Sequence, residues 1–111
     1  MRRGEVWWVN FEPSIGGEIQ KRRPAVIISN DAANRYLNRV QVVPMSSRTQ
    51  RVYPSEAIVK VARRRSKALA DQLTTVSKHR LMNRIGRLST SDMSRVERAV
   101  MVQLALVELT S

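Results

Sequence analysis

The sequence predicts a mainly β fold with helices (α+β), built as a small, strongly curved β-sheet or barrel with helices covering one side. Two observations carry that expectation. Five or six short runs of β-forming residues are separated by turn-forming ones, and a single stretch near the C-terminus changes to helical period.

Glu5-Val6-Trp7-Trp8-Val9-Asn10-Phe11 lies between Gly4 and Pro13 and reads as the first strand. Segment 12 to 22 holds Pro13, the Gly16-Gly17 pair and mostly polar residues, which predicts a hairpin loop. Arg23-Pro24 leads into Ala25-Val26-Ile27-Ile28-Ser29, a continuous apolar run suited to a buried strand. Asn30-Asp31 can cap a helical turn through Ala32, Ala33 and Tyr36, after which Val40-Gln41-Val42-Val43 resumes a strand that Pro44 should end.

Ala57-Ile58-Val59-Lys60-Val61 is the next strand, and Arg63-Arg64-Arg65 interrupts the pattern. Ala68-Leu69-Ala70 followed by Leu73 and Val76 predicts another buried strand, and Ile85-Gly86-Arg87-Leu88 a last short one. Ser89-Thr90-Ser91-Asp92 has capping-box spacing, and Met93, Val96, Val100, Leu104 and Val107 recur at steps of three and four. Those signals predict an amphipathic helix from about Thr90 to Leu109.

A length of 111 residues suits one core, so residues 1–111 are expected to form a single domain. No apolar run approaches the roughly 18 residues of a membrane span, and no signal-type segment opens the chain. A cytoplasmic protein without a membrane partner is the expectation. The absence of cysteine excludes disulfides, thiolate zinc sites and a cysteine nucleophile. Twenty basic residues against nine acidic ones give a net charge of +11, and sixteen of the basic residues are arginine. The guanidinium fork matches phosphate oxygens and stacks on bases, so the bias points to nucleic acid. Charge alone leaves a basic ribosomal or architectural protein level with an enzyme.

The side chains narrow the chemistry further. Cleavage by paired metals needs gathered carboxylates, whereas these nine acids are scattered, so no metal site and no cofactor are expected. His79, the only histidine, stands between Lys78 and Arg80, which excludes a two-histidine acid/base scheme. One route stays open: RNA supplies its own 2′-hydroxyl, a carboxylate accepts the proton, and guanidinium and hydroxyl donors stabilise the phosphorane. Such a reaction leaves a 2′,3′-cyclic phosphate and a 5′-hydroxyl, and DNA cannot undergo it.

Arg3-Gly4-Glu5-Val6-Trp7, then Gly17-Glu18 with Lys21-Arg22-Arg23-Pro24-Ala25-Val26-Ile27-Ile28-Ser29-Asn30, resembles the opening of the MazF/PemK (Kid) family of toxin–antitoxin endoribonucleases. The likeness continues in Val42-Val43-Pro44-Met45-Ser46-Ser47, Tyr53-Pro54-Ser55-Glu56, Ala68-Leu69-Ala70-Asp71-Gln72 and Ile85-Gly86-Arg87-Leu88. The six pieces keep their order over nearly the whole chain. What the resemblance implies is an SH3-like, strongly curved antiparallel β-barrel of CcdB/PemK type, a homodimer, and metal-independent cleavage of single-stranded RNA at short sequences.

By that resemblance the catalytic arginine falls on Arg23, the strand-end hydroxyl on Ser46 where the family has threonine, and the loop glutamate on Glu18. Ser47 can share the role of Ser46. Asp71 is retained from the Kid branch, but Leu69 replaces its arginine, so Glu18 and Asp71 both stand as candidate bases. Lys21, Arg22, Arg63, Arg64 and Arg65 are candidate RNA contacts, the arginine run as a phosphate-steering surface and not a base reader. Asp71-Gln72 allow two readings, hydrogen bonding within the barrel or contact with RNA. One of Trp7 and Trp8 belongs to the core and the other is free for an interface or base stacking.

The expected partners are single-stranded RNA, a second copy of the chain, and a small acidic antitoxin of MazE type. Two other classes remain open: a gyrase-poisoning toxin on the same fold, for which the C-terminal Leu-Thr-Ser lacks an aromatic residue, and a non-catalytic RNA-binding module.

Overall fold

Apolar, β-branched runs alternate with turns along the chain, and each run becomes a strand. The computed structural model describes residues 1–12, 16–18 and 21–108. Among these the strands are Glu5–Asn10 (β1), Arg22–Ile27 (β2), Arg39–Ser46 (β3), Glu56–Val61 (β4), Arg64–Leu69 (β5), Thr74–Ser77 (β6) and Leu81–Arg87 (β7). Two helices, Asp31–Tyr36 (α1) and Thr90–Gln103 (α2), complete the described elements, with short 3₁₀ turns at Ala70–Gln72 and Lys78–Arg80. The order across the antiparallel sheet is β4-β5-β3-β2-β1-β7, with β6 paired to β3.

The curl originates in β3, which serves three neighbours in succession. Arg39 to Val42 pair with β6, Val42 to Pro44 with β2, and Met45 and Ser46 with β5. Register shifts between β1 and β7 at Val6/Trp7 and Trp7/Val9 add further twist. The middle of β2 and β3 is mostly apolar because both faces are covered there. Val26, Val43 and Met45 belong to a core cluster shared with Met93, Val96 and Ala99 of α2, whereas Ala25, Ile27, Val40 and Val42 face a second cluster with Val9, Phe11 and Leu81.

Several predicted boundaries move, each for a local reason. β2 starts earlier than expected because Arg22 and Arg23 already pair with Asn10 and Val9, and it ends at Ile27. Ser29 leaves the strand to serve α1: its Oγ accepts from Gln41 N and donates to Asn34 Oδ1, while Asn30 caps the helix through Ala33 N. β3 does not stop at Pro44, since the proline falls where the strand exchanges β2 for β5 and its missing N–H costs no ladder bond there. The buried strand expected from Ala68 to Val76 is two strands. Ala70 N–H still bonds Ser55 O in line with the β4–β5 register, and the 3₁₀ turn that begins at Ala70 then redirects the chain so that β6 pairs with the other end of β3.

The basic run divides, with Arg63 in a two-residue turn and Arg64 and Arg65 opening β5. β7 begins at Leu81, four residues before the expected strand, through exposed Met82, Asn83 and Arg84 that carry no apolar signal. α2 ends at Gln103, with Leu104 half exposed and Ala105 at φ 58, so Leu104 and Val107 lie off the buried stripe and Ala99 joins it. Ser89 Oγ accepts from Asp92 N as predicted, but the Asp92 carboxylate does not reach back. It accepts from Lys60 N at 2.9 Å and pairs with Arg95 at 2.5 Å, fastening the helix to β4. The helix end expected at Leu109 and part of the loop over 12 to 22, namely 13–15 and 19–20, lie outside the described residues.

Candidate active site

The stem of the 12–22 segment is closed by Phe11 N–H donating to Lys21 O at 2.9 Å, with Lys21 at φ 66, so Arg22, Arg23 and Pro24 enter β2 at a defined register. That register, Ile27↔Val42, Val26↔Val43 and Ala25↔Pro44, stops two residues short of Arg23 and Ser46. The ladder ends there, because β3 turns to β5 at Met45 and Ser46. Pro24 and Pro44, neither with an N–H to donate, stand on the two strands where they part.

The gap opens as a groove of about 550 Å³ lined by Trp8, Arg23, Pro24, Ser46, Ser47, Arg64 and Arg65 among others. Lys21 and Arg22 stand at its rim, so five cations face it and no carboxylate does among the described residues. Ser46 Oγ accepts from Arg48 N at 3.2 Å, which orients the hydroxyl and leaves its proton to donate. Trp8, 38% exposed, is the free tryptophan and forms a wall; Trp7 packs against the second core cluster and donates Nε1–H to Glu5 Oε1 at 3.1 Å.

The third residue of the expected catalytic set is not in this groove. Glu18 lines a separate cavity of about 350 Å³ with Asp71, Gln72, Thr74, Thr75 and Arg80. Gln72 Nε2 donates to Gly17 O at 3.2 Å, tying the residue before Glu18 to the 3₁₀ turn. Arg23, Ser46, Ser47, Lys21, Arg22, Arg64 and Arg65 are thus brought together, Glu18, Asp71 and Gln72 form a second group, and Arg63 lies with neither. His79 is exposed in the Lys78–Arg80 turn.

At the start of β1, Glu5 ties strand to terminus. Burial raises its carboxyl pKa, but the Arg2 N–H, the Trp7 indole, the terminal ammonium and Arg84 at 3.3 Å outweigh burial and hold it below the ordinary carboxylate value. Lys67 pairs with Ser46 on the β3–β5 ladder without lining the groove: its Nζ contacts Glu56 Oε1 at 3.0 Å and Arg51 O at 2.8 Å. A lysine in an alternating strand and a glutamate at a strand start carry no signal of that pairing in the sequence.

The sequence profile of the PemK-like, MazF-like toxins of type II toxin–antitoxin systems matches residues 2–104. The chain belongs to that family. It is 35% identical to endoribonuclease MazF9 of Mycobacterium tuberculosis over 96% of this chain and 98% of the relative. The crystal structure of MazF from Deinococcus radiodurans superposes with a TM-score of 0.84 at 25% identity, covering 95% of this chain and 96% of that one. A mycobacterial endoribonuclease in complex with its cognate antitoxin shares the fold, with a TM-score of 0.81 at 23% identity over 97% and 98% of the two chains. The SH3-like, curved antiparallel architecture with a C-terminal helix is therefore that of the MazF toxins. Among the described residues of this MazF-like chain no helix is long and apolar enough to cross a membrane, and no three of His, Cys, Asp and Glu gather as a metal site.

Proposed function

We propose that this protein is a toxin endoribonuclease that cleaves single-stranded RNA without a metal ion, and that Arg23 and Ser46 act at the scissile phosphate. The observation that carries the reading is the groove itself: Arg23 and Ser46 both line it where β2 and β3 part, together with four further cations and, among the described residues, no carboxylate. A phosphodiester lying there meets guanidinium and hydroxyl donors aimed at the oxygens on which charge develops. The 2′-oxygen attacks phosphorus, the bond to the 5′-oxygen breaks, and the products are a 2′,3′-cyclic phosphate and a 5′-hydroxyl, the leaving oxygen taking its proton from solvent water.

The proton from the 2′-hydroxyl goes to a carboxylate, which we assign to Glu18 on the condition that the loop carrying it closes over bound RNA and brings it from its separate cavity to the groove, with Asp71 in that cavity as the second choice. Lys21, Arg22, Arg64 and Arg65 hold flanking phosphates, Ser47 adds a donor beside Ser46, and Trp8 offers a face for base stacking. The protein works as a homodimer, and its antidote is a small acidic antitoxin of MazE type whose carboxylates occupy the cationic groove. The mycobacterial relative found with its cognate antitoxin supports that pairing.

Incubation of purified protein with single-stranded RNA in excess EDTA tests the reading, with mass spectrometry of the new ends. Cyclic phosphate and 5′-hydroxyl termini, and an intact 2′-deoxy strand, are expected. Cleavage restored only by added metal, or 3′-hydroxyl ends, would overturn the mechanism. Binding without cleavage would leave an RNA-binding module, and inhibition of gyrase without cleavage the alternative toxin.

A further inference from the structure

The β4–β5 hairpin turns through Ala62 at φ 50 and Arg63 at φ 63, two left-handed positions in succession, each filled by a residue with a side chain. Such a turn favours Asn and Gly, so an arginine there is disfavoured by the backbone and directed by it. Arg63 lines a groove of about 680 Å³ on β4 and the start of α2, together with Lys60, Arg65, Arg95, Ser89 and Asp92. Lys60 and Arg65 are direct cross-strand partners, a like-charge juxtaposition that opposes folding unless an anion lies between them. Arg95 is engaged by Asp92 at 2.5 Å, but Lys60, Arg63 and Arg65 form no ion pair among the described residues. Elsewhere the carboxylates Glu5, Glu56 and Glu97 are each matched to a cation.

Arg65 also lines the groove that holds Arg23 and Ser46, so the two grooves meet at β5. We infer that the second groove is a backbone track for the RNA strand beyond the cleavage site: phosphates leaving the first groove pass Arg64 and Arg65, cross the hairpin, and settle between Lys60, Arg63 and Arg65. The inference rests on the proposed cleavage at the first groove for its direction. Arg65, shared by the two grooves, connects Arg64 in the first with Arg63 in the second; this succession of guanidinium forks favours a phosphodiester chain over an acidic protein segment, and the second groove presents few groups able to read bases. It extends the length of RNA held without adding sequence preference.

The test compares the protein with its Lys60→Gln/Arg63→Gln variant. Both positions are exposed, and equal thermal midpoints would establish equal folding. Two RNAs with one common cut site are used, one with about two nucleotides on each side and one with about eight. Wild type should cut the longer RNA with a several-fold higher kcat/KM, and the variant should bring that ratio close to one. Anisotropy with a long 2′-deoxy strand, which needs no cleavage, should show weaker binding by the variant and a salt slope flatter by about 1.4, as expected for two lost phosphate contacts on a single strand. An unchanged length ratio with an unchanged salt slope would overturn the track. Loss of binding to an acidic peptide alone would overturn it in favour of a protein partner. If wild type cuts no RNA but the slope still falls, the cleavage proposal fails while the track stands.

Discussion

Lys67 stands directly opposite Ser46 on the β3–β5 ladder, and its Nζ lies 3.0 Å from Glu56 Oε1. Both charged side chains are little exposed, at 12% and 11%. The pair also reaches the segment that follows Ser46: Lys67 donates to Arg51 O, and Glu56 Oε1 accepts from Tyr53 N. Glu56→Gln leaves a largely buried ammonium with weaker partners and should cost about 1.5–3 kcal/mol in urea unfolding. A Lys67→Met/Glu56→Gln double variant should lose less than the sum of the two singles. Additive losses would show that the two groups are energetically independent.

Arg23→Ala should lower cleavage by about 10²–10³, or about 2.7–4 kcal/mol of transition-state stabilisation, in a protein that stays folded. Arg23→Lys should rescue poorly, because an ammonium cannot fork to two oxygens. Near wild-type turnover by a folded Arg23→Ala protein removes Arg23 from the mechanism.

Ser46→Ala should lower kcat, while Ser46→Thr should retain or raise it, since threonine keeps the hydroxyl and restrains its χ1. Equal kcat for all three proteins would assign the donor elsewhere, with Ser47 the next candidate on the groove wall.

The hairpin turn is a place where stability can be gained. Ala62→Asn suits the left-handed conformation better than alanine and should add about 1 kcal/mol, seen as a melting temperature higher by about 4 °C. An unchanged or lower midpoint would mean that the turn is not strained at Ala62.

Glu5 makes the fold acid-sensitive. Its folded-state pKa is lowered, so its contribution is fully present above the unfolded carboxylate value, near 4.3, and is lost as pH falls through the folded value. Glu5→Gln should therefore be less stable at neutral pH and show a flatter loss of stability below about pH 4.5. Parallel stability curves for the two proteins across that range would exclude Glu5 from the acid response.

Much of this was legible in the sequence where the physics is local. Arg23-Pro24 before an apolar run, Asn30 before a helical turn and Ser89 three residues ahead of Asp92 all act as their neighbours dictate. Pairing across distance was not legible. Nothing local announces that β3 exchanges partners at Pro44, and the groove that Arg23 and Ser46 both line lies where it does so. Nor does the sequence announce that Glu18, five positions before Arg23, lines a different cavity with Asp71. The arginine run read as one surface because charge carries no direction; a two-residue turn sends Arg63 away from Arg64. Gly86 shows a further nonlocal demand, since a Cβ there would meet Val61 Cγ2 at 3.1 Å.

The pairing of β1 with β7 carries a consequence for how the protein comes into being. Glu5 meets Arg87, and Ile85 helps to line the groove of Arg23 and Ser46, so the first strand waits for nearly the last. A ribosome adds roughly 5–20 residues each second, and contacts so distant along the chain form late. A nascent chain holding Arg23, Ser46 and Arg65 but not yet β7 lacks a wall of its groove. The groove of Arg23 and Ser46 is therefore complete only once β7 has been made and has paired with β1.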